Sequence, residues 1–322
     1  MFLSKDRFID LFDTFYKNLT PFIFLVDFDV QNLFIAPLSS LEDKDGILFD
    51  FRGYTNSKGA VNDSTIYLKK EPVSLDSYRK SFDLVQKHLS DGDSYLLNLT
   101  FPTKIETDVS FGEIFQRSKA LYKMKFYDEF VFFSPEQFVC IKDGKISTHP
   151  MKGTKVKVSE SSEYELLNDE KELAEHITIV DLMRNDLSMV AKNVKVERFR
   201  YLSYIKSYGK TIIQTSSEIS GDLTDGSVAE KLLNLLPAGS ISGAPKRKTV
   251  EIIKKAELDN RGFYTGIAGV FDGLQIDSCV IIRYIEKKGD SLFYRSGGGI
   301  TVYSKVEDEY REMIDKIYVP CI

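Results

Sequence analysis

An α+β fold with mostly antiparallel sheet is what this sequence predicts. Apolar runs of strand length come in clusters joined by tight turns, as at Asp143-Gly144 and Asp272-Gly273. Helical spacing separates these clusters without the regular strand–helix–strand rhythm of a parallel sheet. Apolar residues make up 43% of the 322, enough for a sizeable core and too many for a disordered chain. With no internal repeat, low-complexity tract or linker, residues 1–322 read as one domain.

Taken in order, residues 5–18 predict a helix, with Phe8, Leu11, Phe12 and Phe15 at helical spacing. FIFLVDF from Phe22, GILFDF from Gly46 and STIYLKK from Ser64 predict strands, and residues 74–90 return to helical spacing. A strand follows Asp91, in which Pro102 limits central pairing. Residues 111–122 predict a helix. Glu129 to Thr148 predicts a hairpin turning at Asp143-Gly144. Its second arm ends in ISTHPMKGT, where a strand gives way to a turn at Gly153. Residues 161–191 predict a long helix with Asn168 as N-cap and acids in its first turn. Residues 194–219 predict a strand broken near Tyr208-Gly209, and residues 229–236 a short helix. A Gly-rich turn then feeds another helix. Three strands between Phe263 and Val302 and a closing helix, Val306 to Tyr318, complete the chain.

Net charge is −5 with the two signs interspersed, so no basic stripe points to nucleic acid or an anionic membrane. Cys140, Cys279 and Cys321 are far apart and form no CxxC pair, which argues against a zinc cluster and for free thiols in a reducing compartment. The N-terminal stretch carries acids and reads as neither signal nor transit peptide. No apolar run approaches a membrane span. A soluble cytoplasmic protein is expected.

Several constellations carry chemistry. Lys152 follows apolar Met151 at a strand end, and a desolvated lysine amine is a nucleophile. PAGSISGAPK, from Pro237, frees the backbone at Gly239 and Gly243 and supplies the Ser240 hydroxyl, either as an anion site or as a helix cap. RSGGGITV, from Arg295, sets three glycines on a strand, which suits close approach of a ligand or a second backbone. Arg283 alternates with apolar neighbours on an expected interior strand and must find an anion. Glu172 and Glu175 share one helix face, and so do Glu309 and Glu312. Each pair is either a solvated face or part of an all-oxygen site for a hard cation such as magnesium. His176 reads as a core histidine bonded to backbone.

Four of these stretches occur together in one family. DEKELAEHITIVDLMRNDL (from Asp169), PAGSISGAPKRKTVEII, RGFYTGIAGV (from Arg261) and RSGGGITVYSKVEDEYREMIDK resemble the chorismate-utilising enzymes. That family includes anthranilate synthase component I, aminodeoxychorismate synthase component I, isochorismate synthase and salicylate synthase. The resemblance runs from about residue 91 to the C-terminus, leaving a shortened N-terminal part of about 90 residues. It implies two large antiparallel sheets packed as a sandwich with helices outside, and chorismate bound with Mg²⁺. By motif, Glu175 and Glu312 match the direct metal ligands, with Glu172 and Glu309 in support. Tyr264 and Arg283 match the residues that hold the enolpyruvyl carboxylate, helped by the amides of Gly297, Gly298 and Gly299. Ser240 matches a hydroxyl that faces substrate, and Glu136, in SPEQF, the acid that protonates the departing 4-hydroxyl.

The turn around Lys152 resembles that of the aminodeoxychorismate synthases, whereas the other members usually carry alanine there. This implies covalent attack of Lys152 on C2 and amination at C4, giving 4-amino-4-deoxychorismate, the precursor of p-aminobenzoate and folate. Ammonia is then expected from a separate glutamine amidotransferase subunit, because these residues contain no glutaminase nucleophile elbow. Two departures stand out. No stretch matches the tryptophan-binding elements of larger relatives, and Leu96 stands where many relatives have Gln or, in the water-adding members, Lys. Anthranilate synthase component I is the rival within the family, and a non-catalytic ligand-binding protein on the same scaffold is the rival outside it.

Overall fold

The computed structural model describes residues 2–41, 46–57, 59, 64–159, 161–207 and 210–321. Its strands form two large antiparallel sheets stacked face to face, with helices on both outer surfaces. The first sheet runs, in spatial order, Met151–Lys157, Lys210–Leu223, Lys145–Thr148, Gln137–Lys142, Gln275–Val280, Ile267–Phe271, Phe22–Val26 and Leu33–Pro37, and Ala191–Ser207 also pairs with Lys210–Leu223. The second runs Gly243–Ala244, Leu96–Glu106, Ser291–Ile300, Tyr284–Lys288, Phe130–Ser134, Tyr122–Phe126, Ile47–Phe51 and Tyr54–Thr55, with Lys69–Glu71 beside Leu96–Glu106.

The strand Phe22–Val26 shows why its sequence is an unbroken apolar run. Ile23 and Leu25 face the second sheet, where Phe49, Tyr122 and Met124 meet them. Phe22, Phe24 and Val26 face outward, under the helix Lys5–Lys17 and its Phe8 and Phe12. A strand buried on both faces has no polar positions to alternate with. Each such side chain contributes roughly 1.5–3 kcal/mol by leaving water. On the far side, Leu97, Leu99 and Phe101 lie under the helices Leu75–Ser90, Lys246–Ala256 and Val306–Asp315.

Several elements differ from expectation. Residues 64–68 form no strand; only Lys69–Glu71 pairs. The helix at 111 stops at Arg117, because Tyr122 already belongs to a strand. Pro102 sits inside a well-paired strand. On its other side the short neighbours cover only Leu96–Leu97 and Lys104–Glu106, so no strand there asks for the missing amide. Asp169 rather than Asn168 caps the long helix, accepting from the Glu172 amide, and that helix spans Glu170–Ser188 after a separate one at Ser161–Leu167. The expected break at Tyr208-Gly209 lies outside the described residues.

The difference that builds the site concerns two strands that change sheets. Phe130–Ser134 lies in the second sheet and Gln137–Lys142 in the first. Gln275–Val280 lies in the first and Tyr284–Lys288 in the second. Residues 129–148 are therefore a crossing plus a hairpin, and the stretch after Phe263 holds four strands instead of three. The two crossings run side by side. The amide of Val280 donates to the carbonyl of Glu136 (3.1 Å), and that of Phe133 to Arg283 (3.1 Å).

Candidate active site

The crossings set Glu136 and Arg283 next to each other. Arg283 takes a positive φ of 53° at the bend, so it is a corner residue and not the interior strand residue that its apolar neighbours suggest. Its guanidinium stacks over the Tyr318 ring (5.1 Å) and donates to the Lys316 carbonyl (3.3 Å). Glu136 accepts a 2.5 Å hydrogen bond from the Ser240 hydroxyl, presented by the short helix Gly239–Ser242. Burial holds the Glu136 carboxyl above the usual carboxylate range, against the opposing pull of Ser240, Lys152 and Arg283. Tyr264 is buried beside Tyr284, with the Arg295 guanidinium 5.9 Å from its ring.

Lys152 lies within the strand Met151–Lys157, not at its end. The expected turn is a bulge: register against Lys210–Leu223 shifts between Lys152 and Thr154, with Gly153 at φ +77°. The Lys152 ammonium does not sit on apolar surface either. It pairs with Glu175 at 2.8 Å, both side chains about one-third exposed (37% and 32%). The backbone carbonyl of Lys152 accepts from Thr215. His176 stands behind it, fully buried, bonded to the Ser217 hydroxyl (2.7 Å) and to the Lys152 backbone. Burial, reinforced by Arg200, pushes this imidazole down to about 4. The core-histidine reading holds, with a serine partner added.

Glu172 reaches the same bulge; a Cβ added at Gly153 would lie 3.0 Å from its carboxylate. Glu309 and Glu312 converge on the glycine strand instead. A Cβ at Gly298 would lie 3.2 Å from an oxygen of each. Gly297, Gly298 and Gly299 themselves sit in the ladder opposite Thr100, Leu99 and Asn98. Glu312 is held by Lys316 at 2.6 Å, and Lys316 also donates to the Gly297 carbonyl (2.9 Å). Among the described residues no group of three acidic, His or Cys side chains is gathered closely enough to hold a metal ion. The donor chemistry of the two carboxylate pairs, oxygen only, suits magnesium. The Tyr78 hydroxyl, buried without a hydrogen-bond partner, faces the charges of Glu309 and Glu312. Such an orphaned donor suits a site that completes itself around a ligand.

Sequence reasoning missed Lys316, although it stands one helical turn after Glu312. It also missed Asn98, whose amide donates to the Ser240 carbonyl (3.3 Å). Leu96 packs against the glycine strand, 3.0 Å from where a Gly299 Cβ would be.

The sequence pattern of the family described as chorismate binding enzyme matches residues 30–320. This chain belongs to the chorismate-binding enzyme family. The match reaches well before residue 91, where the recognisable motifs begin, so residues 30–90 fall within it too. An uncharacterized PabA-like protein of Haemophilus influenzae is 46% identical over 320 residues, covering 98% of this chain and 97% of that one. Anthranilate synthase component 1 of Acetivibrio thermocellus is 32% identical over 81% of this chain and 57% of its own length. Aminodeoxychorismate synthase component 1 of Bacillus subtilis is 30% identical over 77% and 55%. In fold, the menaquinone-specific isochorismate synthase of Escherichia coli superposes with a TM-score of 0.75, at 17% identity, over 98% of this chain and 82% of that one. No helix among the described residues is long and apolar enough to cross a membrane.

Proposed function

We propose that this member of the family is an aminodeoxychorismate synthase component I, converting chorismate and ammonia to 4-amino-4-deoxychorismate. One observation supports this most: Lys152, an amine, stands within electrostatic reach of Glu136, a partly buried acid whose pKa is raised by desolvation. Amination through a covalent lysine needs both.

In this reading Tyr264, Arg283 and the amides of Gly297 to Gly299 hold the enolpyruvyl carboxylate, and Ser240 faces the ring. Glu175 and Glu312 would hold magnesium directly, with Glu172 and Glu309 in support; when bound, it neutralises the ring carboxylate. Lys152 leaves its ion pair with Glu175, loses a proton and forms a bond to C2. The ring double bond shifts and the C4–O bond breaks, with Glu136 giving the departing oxygen its proton. Ammonia then bonds to C4 and gives up one proton, which restores Glu136, while the double bond shifts back, the C2–N bond to Lys152 breaks and the freed amine takes back its proton. The balance is chorismate plus ammonia to aminodeoxychorismate plus water.

The test is product identification by mass spectrometry after incubating the chain with chorismate, Mg²⁺ and ammonium. Aminodeoxychorismate is expected. Anthranilate would assign the sister activity, and untouched chorismate the non-catalytic reading. Glutamine alone is expected to give no product until a separate glutaminase subunit is added. With ammonium, the rate rises with pH as free NH₃ increases; at a fixed, saturating concentration of free NH₃ it falls where Glu136 loses the proton that it must donate. Its raised pKa puts that fall above the ordinary glutamate range.

A further inference from the structure

Two motif residues have no part in the chemistry above: Asp186 of MRNDL and Lys246 of GAPKRK. They meet at 2.9 Å, and both are largely buried, at 14% and 19% side-chain exposure. Lys246 also donates to the Leu235 carbonyl (2.9 Å). A buried ion pair is weak evidence for stability, since apolar residues of the same volume often do as well. Its geometry suggests another use. The helix Gly239–Ser242 follows Ala238, which provides no side-chain cap. The Gly239 amide faces the Asp186 carboxylate instead and stabilises its charge, so a carboxylate from a different helix stands at its first free N–H. Contact is close: a Cβ at Gly239 would lie 2.6 Å from an Asp186 oxygen and 2.7 Å from Met183. The next residue is Ser240, bonded to Glu136. The helix that carries Asp186 also carries Glu172 and Glu175, and Glu175 lies about 16 Å away along its axis.

We propose that Asp186, held by Lys246, is a positioning residue that fixes the Gly239–Ser242 turn and thereby aims the Ser240 hydroxyl at Glu136. One long helix then ties the carboxylates near Lys152 to the turn beside the acid. The inference rests on the reading that Glu136 is the acid of the reaction. The groups facing Glu136 are Ser240, Lys152, Arg283 and the buried Cys279 thiol, whose own pKa is raised by burial; those facing Asp186 are Lys246 and the Gly239 amide.

A mutant cycle on chorismate turnover tests it. Asp186→Ala and Ser240→Ala are each expected to lower kcat by about 10- to 100-fold with KM nearly unchanged. The double variant is expected to lose no more than either single one. Ser240→Ala removes, and Asp186→Ala misaims, the donor that favours the Glu136 carboxylate, so the alkaline limb of kcat should move to higher pH in each. Asp186→Asn with Lys246→Met keeps an oxygen for the Gly239 amide without an unpaired buried charge, and should retain kcat within a few-fold. Asp13→Ala serves as the structural control. Asp13 accepts from the Val228 and Ala229 amides, away from the site, and its loss should lower stability without moving kcat or the pH limb. Additive losses, an unmoved limb in Asp186→Ala, or an equal kcat loss in Asp13→Ala would overturn the proposal. A separate arm needs no activity. Hydrogen exchange across residues 238–243 should accelerate in Asp186→Ala, and unchanged exchange would refute the clamp even if the reaction proves to be another. Faster exchange together with a product other than aminodeoxychorismate would uphold the clamp and reject only the assigned reaction.

Discussion

The two carboxylate pairs resemble each other in sequence and differ in how the fold holds them. Glu309 and Glu312 lie on Val306–Asp315, and Lys316 holds Glu312 from the same local stretch, four residues on. Glu172 and Glu175 lie on Glu170–Ser188, and Glu175 is held by Lys152, on a bulged strand 23 residues earlier. The first arrangement is set by helix geometry within one element. The second exists only because a bulge brings the lysine under the helix. At one-third exposure, the Lys152–Glu175 pair contributes about 0–1 kcal/mol, too little to justify the bulge as a stability device. The local pair holds a carboxylate; the tertiary pair brings a reactive amine to one.

Variants can break that contrast. The largest effect is expected from Glu175→Gln or Glu312→Gln, each removing a charged oxygen from the proposed magnesium site. Turnover should fall by more than about 10³-fold at ordinary Mg²⁺. Normal turnover and unchanged Mg²⁺ dependence in both would dismiss the metal assignment. Next is the lysine comparison. Lys152→Ala should cost about 10²-fold or more, and Lys316→Ala only about 10-fold, because only the first closes a covalent route. Equal losses would leave Lys152 as a positioning charge. Intact-protein mass spectrometry with chorismate and no ammonia should show added mass on the peptide bearing Lys152.

Glycine substitutions separate the regions more finely. Gly153→Ala places a Cβ at φ +77°, and should lower stability by about 1–2 kcal/mol in thermal unfolding. Gly298→Ala meets no positive φ, only the ends of Glu309 and Glu312, so stability should hold while Mg²⁺-dependent turnover falls. The reverse pattern would contradict the placement of the carboxylates. The smallest effect concerns Leu96. A leucine can neither take a proton nor orient water, so wild type should release no isochorismate or salicylate. Leu96→Lys with Lys152→Ala should gain a trace of isochorismate. Isochorismate as the main wild-type product would overturn the assigned amination.

Spacing on one element was legible from residues alone. Glu172 and Glu175 share a face, Glu309 and Glu312 share another, and Asp143-Gly144 turns a hairpin with both φ values positive, at 50° and 72°. Each is a local consequence of helix period or turn sterics, and neighbours in sequence decide it. The long motifs likewise carried the family and the sandwich fold. Only the tertiary structure decided where Glu136 and Arg283 stand. Strands buried on both faces read as one apolar run, so CVIIRYI carries no mark of the point where it leaves one sheet for the other. It also decided the partner of Lys152. The apolar neighbour in sequence, Met151, suggested a desolvated amine, while Nζ is paired with a carboxylate delivered by a helix. Side chains of adjacent strand residues point to opposite faces, so the residue beside a lysine in sequence is poorly placed to define its surroundings. What does so is the element packed over that face, which follows from the sheet order and not from the local sequence.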